Sequence, residues 1–75
     1  MRVLILGVSG MLGNAVFQYF HKSKTYDIWG TLRSELHLKH FTEEMQDRLV
    51  TNIDVLNYDD LLAVFEQVKP SIVIN

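Results

Sequence analysis

The sequence predicts an α/β fold, a parallel sheet covered by helices, from three observations. Short apolar or β-branched runs alternate with segments of helical period along the 75 residues. The first run, Val3-Leu4-Ile5-Leu6, is continuously apolar, as suits a strand buried on both faces. It gives way to a helix-like pattern across three glycines, Gly7, Gly10 and Gly13, at three-residue spacing.

Each element follows from local pattern. After the first strand, Leu12, Val16, Tyr19 and Phe20 recur at three- and four-residue intervals, the period of a helix face. That helix is expected to stop near Lys22 to Lys24, where two cations suit the negative end of its dipole. "YDIWGTLR" (26–33) reads as a second strand with Tyr26, Ile28 and Trp29 as its apolar members. In 34–47, Leu38, Phe41 and Met45 share a helical face, which predicts a short helix. "RLVTNIDV" (48–55) is rich in β-branched residues and reads as a third strand. Asn57 is a good N-cap, Asp59 and Asp60 suit a first turn, and Leu61, Phe65 and Val68 form the face of a helix that Pro70 stops. "SIVIN" (71–75) is the fourth strand. This β-α-β-(α)-β-α-β order implies right-handed crossovers and a sheet ordered 3-2-1-4.

Composition bounds the function. A chain this short makes one small domain and buries only about 60–65% of its unfolded surface. Its net charge of −2 lacks the basic face that nucleic acid requires. With no cysteine, neither a disulfide framework nor a thiolate metal site is possible. No apolar run approaches the roughly 18 residues of a membrane span, and the opening "MRVLILGVSG" reads as a strand rather than a leader. A cytoplasmic address is the expectation.

The glycine spacing suits a loop through which backbone approaches a phosphate. The first glycine permits the turn out of the strand, the second clears the path of a pyrophosphate, and the third lets helix and strand lie close. From Met11 onward, free backbone N–H groups and the positive dipole end face the anion. Gly7, Ser9, Gly10, Met11, Leu12 and Gly13 are therefore candidate cofactor-binding residues. The loop lacks the Gly-Lys-Ser/Thr ending of an NTPase loop, so nucleotide hydrolysis is not expected.

Cofactor choice should be set about twenty residues further on, where an acid would select NAD and an arginine NADP. That position is Arg33, flanked by Thr31 and Ser34, and no carboxylate ends the second strand, since Asp27 lies at its start. A guanidinium and a hydroxyl both donate to phosphate. NADP is expected, with NAD as the alternative.

The fingerprint Gly7-x-x-Gly10-x-x-Gly13 resembles that of the extended short-chain dehydrogenases/reductases, the group acting on nucleotide sugars. "RVLILGVSGMLGNAV" is most similar to the dTDP-4-dehydrorhamnose reductases, "LRS" (32–34) to the NADP-type ending in GDP-fucose synthases, and "VIN" (73–75) to the strand leading into the loop beside the cofactor. The resemblance implies a Rossmann-type fold, of which this chain supplies the first half. It further assigns Asp54 to the adenine amino group and Val55 to the ring's edge. It also implies a nucleotide-sugar substrate and a Tyr-x-x-x-Lys catalytic pair downstream. Neither Tyr19, Tyr26 nor Tyr58 has a lysine four residues on, so no catalytic residue is assigned. Residues 1–75 are thus expected to be the cofactor-binding fragment of a larger reductase, inactive alone and self-associating through its C-terminal edge strand. A sugar-nucleotide epimerase or dehydratase fragment, or a non-catalytic NADP-sensing module, are the alternatives.

Rival sites are weaker. His37 and His40 near Glu43 and Glu44 lack a firm third ligand, and a solvated helix edge accounts for them. Asp59-Asp60 suits a helix start, and Trp29 and Phe41 suit packing.

Overall fold

The computed structural model describes all 75 residues, Met1–Asn75. β1 (Arg2–Ile5) runs through the middle of the molecule and turns over Gly7 into α1 (Met11–Ser23). β2 (Asp27–Thr31) pairs parallel to β1, with Arg2 opposite Asp27 and Ile5 opposite Gly30. A 3-10 helix over Glu35–His40 and the single-turn α2 (Glu43–Gln46) then lead to β3 (Leu49–Val50), which pairs with Gly30 and Thr31. α3 (Tyr58–Val68) crosses to β4 (Ile72–Ile74) on the other side of β1. The sheet order is β3-β2-β1-β4, all parallel, as the alternation implied.

Two cores result. On one face Val3, Ile5 and Ile28 pack with Val8, Phe17, Leu32, Phe41 and Met45 beneath α1 and α2. On the other, Leu4 and Ile53 pack with Val64 and Val68 of α3. Continuous apolarity in β1 is thus used on both sides. The outer edge of β4 is unpaired, and Ile72 and Val73 are exposed there.

Several boundaries and faces differ from the expectation. α1 buries Phe17 and exposes Leu12 and Tyr19, because Gly13 lies against the loop at Gly7 and Val8 and the residue four positions on must follow it inward. In α3, Val68 is buried as expected, but Val64 rather than Phe65 fills the core one turn earlier, and Phe65 is exposed. The single helix expected over 34–47 is broken: Phe41 is extended, and Thr42 starts α2 by accepting from the Met45 amide. Phe41 and Met45 nonetheless reach the core. β3 covers two residues rather than 48–55, since the chain turns sharply where Asn52 adopts a left-handed φ of 61°. β2 ends at Thr31, although the Leu32 amide still donates to the Val50 carbonyl.

At the N-terminal ends of the strands, Asp27 accepts from Arg48 Nε (2.8 Å) and pairs with Arg2 (3.5 Å). Burial opposes ionisation of Asp27, but the Arg48 hydrogen bond and the charges of Arg48 and Arg2 outweigh it, holding the carboxyl below its ordinary 3.8. A carboxylate with a depressed folded pKa stabilises the native state above its unfolded pKa, and that stabilisation is lost as pH falls through the folded value. Between about pH 5 and about pH 3, the urea midpoint should therefore fall more steeply for the wild type than for Asp27→Asn. Parallel slopes would refute this.

Candidate functional site

The loops after β1, β2 and β3 and the end of β4 all lie at the C-terminal end of the sheet, where open parallel sheets hold ligands. The direction of strand order reverses between β1 and β4. A cleft of about 260 Å³ opens there, lined by Leu6, Gly7, Leu12, Gly13, Ile74 and Asn75 among others.

The glycine loop is held from beneath by the end of β2. Gly7 N donates to Thr31 Oγ1 (2.9 Å), and Val8 N donates to the Thr31 carbonyl (3.0 Å). Gly7 has a φ of 74°, the left-handed region that glycine enters without a Cβ penalty. A Cβ on Gly13 would lie 2.4 Å from the Gly7 carbonyl oxygen, so the helix rests directly on the loop. A Cβ on Gly10 would meet only the Gly7 oxygen, at 3.7 Å, and otherwise open space. Gly10 and Ser9 are exposed.

The N-terminus of α1 differs from those of the other helices. Ser34, Thr42 and Asn57 each cap the helix that follows with a side-chain oxygen. Gly10 offers no side-chain cap, and no acid lies in the first turn of α1. The first bond of the helix is from Asn14 N to the Gly10 carbonyl (2.8 Å). The N–H groups of Met11, Leu12 and Gly13 therefore precede any intrahelical acceptor, at the positive end of the dipole. Such an end accommodates a phosphate. The residues present fit the pyrophosphate of a dinucleotide.

The remaining candidates gather on the β2–β3 side of the same edge. Arg33 follows the end of β2 with its side chain 78% exposed, and its Nη2 stands 3.8 Å from Asp54 Oδ2. Ser34 Oγ is engaged locally, accepting from the Leu36 amide (3.2 Å). Asp54 and Val55 lie half-buried in the turn before α3, where Asp54 Oδ1 accepts from the Leu56 amide (2.9 Å). Ile53 N donates to the Leu32 carbonyl (3.0 Å), which ties the two loops together. The structure thus groups the glycine loop at β1 and the Arg33–Asp54 pair at β2–β3 on one rim.

Sequence reasoning took Thr31 only as a hydroxyl flanking Arg33, whereas the structure buries it and gives its Oγ1 to the Gly7 amide, and it missed Gly30. A Cβ on Gly30 would lie 2.8 Å from Val8 Cγ1 and 3.1 Å from Phe17 Cδ1, so this glycine lets Val8 and Phe17 settle onto β2 below the loop. A glycine within a strand signals such close approach.

The rival features lie elsewhere. Trp29 packs against the α3-side core with the Arg48 guanidinium 5.0 Å over its ring, and Phe41 is buried. His37 and His40, with ring centroids 6.3 Å apart, sit on the exposed 3-10 helix, and no three His, Asp or Glu side chains are grouped to hold a metal ion. No helix is long and apolar enough to cross a membrane.

No curated protein and no solved structure matches the chain. The family model described as the NAD dependent epimerase/dehydratase family matches residues 3–75, nearly the whole sequence, and the chain belongs to that family.

Proposed function

We propose that the chain is the NADP-binding portion of a nucleotide-sugar reductase resembling the dTDP-4-dehydrorhamnose reductases. Family membership brings a nicotinamide cofactor. The observation that carries the NADP reading is Arg33: the residues that end β2 and follow it carry an exposed guanidinium, only loosely paired with Asp54 at 3.8 Å, and no carboxylate of their own. Asp27, at the opposite end of that strand, is engaged by Arg48 and Arg2.

The bound dinucleotide would supply hydride chemistry. The chain's own residues bind and orient. The N–H groups at the start of α1 receive the pyrophosphate, and Gly10 leaves room for it. Arg33 donates to a ribose 2′-phosphate, while Asp54 and Val55 border the adenine. The proton donor and sugar pocket would belong to further parts of the enzyme, since no Tyr-x-x-x-Lys pair occurs in these residues.

Fluorescence titration should find NADPH bound more tightly than NADH. Arg33→Asp should erase or reverse the preference, because a charge-assisted phosphate contact contributes about 1.5–3 kcal/mol, about 10- to 150-fold. Equal wild-type affinities would refute the NADP reading and favour an NAD-dependent epimerase or dehydratase.

A further inference from the structure

The turn between β3 and α3 is fastened by a side chain with no part so far in the site. Asp60 Oδ2 accepts from the backbone amide of Asp54 at 2.9 Å. The turn closes around this bond: Asn57 N donates to the Asp54 carbonyl (2.9 Å), and Asp60 N donates to Asn57 Oδ1 (3.1 Å). Asp59, the neighbouring acid in the same first turn, is exposed and makes no such reach.

The consequence falls on the Asp54 carboxylate. Its Oδ1 is taken by the Leu56 amide, so once the backbone is pinned the side chain has one oxygen left, Oδ2. That oxygen stands beside Arg33. A carboxylate accepting from a backbone N–H makes a charge-assisted bond, stronger than a neutral one. Without it the Asp54 amide has no acceptor, and the turn keeps only the bonds from Asn57 N to the Asp54 carbonyl and from Leu56 N to Asp54 Oδ1.

We infer that Asp60 is a positioning residue for the adenosine half of the cofactor, fixing the Asp54–Val55 turn so that Asp54 Oδ2, Val55 and Arg33 meet the ligand together. This rests on the cofactor reading above. Asp59 and Asp60 both complement the α3 dipole, so the two variants share that loss and only one loses the turn contact.

The test is the affinity of the protein for adenosine 2′,5′-bisphosphate, measured by calorimetry beside the urea midpoint. Asp60→Ala should weaken binding by about tenfold, and Asp59→Ala by less than about twofold, with both lowering the midpoint. Asp60→Asn, which keeps an oxygen acceptor, should recover most of the affinity although it lacks the charge. Should Asp60→Ala fail to fold, Asp60→Ser serves in its place, its hydroxyl being too short to reach the Asp54 amide. Equal losses in the Asp59 and Asp60 variants, or no rescue by Asn, would overturn the inference. A wild type that binds neither the bisphosphate nor NADPH would instead overturn the cofactor reading itself.

Discussion

Gly13→Ala should lower the melting temperature by about 8–16 °C, although alanine is the better helix former. Two effects compete. In an exposed helix interior the replacement would stabilise by about 1 kcal/mol. Here the new Cβ would stand 2.4 Å from the Gly7 carbonyl oxygen, a backbone atom fixed by the turn and by the Thr31 bonds. Relief requires α1 to lift off the loop, drawing Phe17 out of the core it fills. Overpacking of this kind costs about 3 kcal/mol at the upper end of its usual range. The net loss of about 2 kcal/mol is a large share of what so small a domain holds. Thermal unfolding followed by circular dichroism gives the sign directly. An unchanged or raised midpoint would show that the helix does not rest on the loop.

Gly10→Val should have the opposite profile. Its Cβ meets one atom at ordinary contact distance, and the residue's φ of −74° and ψ of 159° suit valine. The fold should lose no more than about 1 kcal/mol, the scale of a poorer N-cap. Under the proposed function, however, the branched side chain would stand in the space left for the pyrophosphate. NADPH affinity should fall by at least about 100-fold, some 2.7 kcal/mol. Near-native affinity in a folded Gly10→Val protein would show that the space serves no phosphate. Together the two variants separate the structural glycine from the one kept clear for a ligand.

Much of this was legible because the signals were local. Strand–helix alternation and crossover handedness yield the order 3-2-1-4 without any knowledge of contacts. Asn57, Asp59 and Asp60 mark the start of α3 through their own side chains, and Asn57 does accept from the Asp60 amide. The misplaced faces were a matter of rotation. Leu12, Val16, Tyr19 and Phe20 fit a helical period as well as Val16, Phe17 and Phe20 do, and periodicity alone does not choose between them. The close approach at Gly13 chooses, since the stripe must run through position 13 and hence 17. The break at Phe41–Thr42 was similarly written in the sequence as a threonine followed by two glutamates, a capping pattern within an apparent helix. What was not legible is tertiary. Nothing local tells that the Thr31 hydroxyl carries Gly7, that Gly30 makes room for Val8, or that Asp60 reaches back to Asp54. In the site, the glycine loop and Arg33 were found by spacing, but their common rim depends on the strands being parallel.

The central place of β1 also dictates an order of events in folding. Its first neighbour, β2, follows after a single helix, whereas its second, β4, comes almost a full chain length later. Loop closure over the longer span costs roughly 1 kcal/mol more entropy, and pairings remote in sequence form slowly. On a ribosome β1, α1 and β2 can associate while the other edge of β1 still stands open. That edge closes only when Ser71 N donates to the Arg2 carbonyl (2.8 Å) and Leu6 N to the Ile74 carbonyl (2.9 Å). Leu6 immediately precedes the glycine loop. The loop encoded first thus gains its Thr31 anchors when β2 pairs, and the support at Leu6 only when β4 docks.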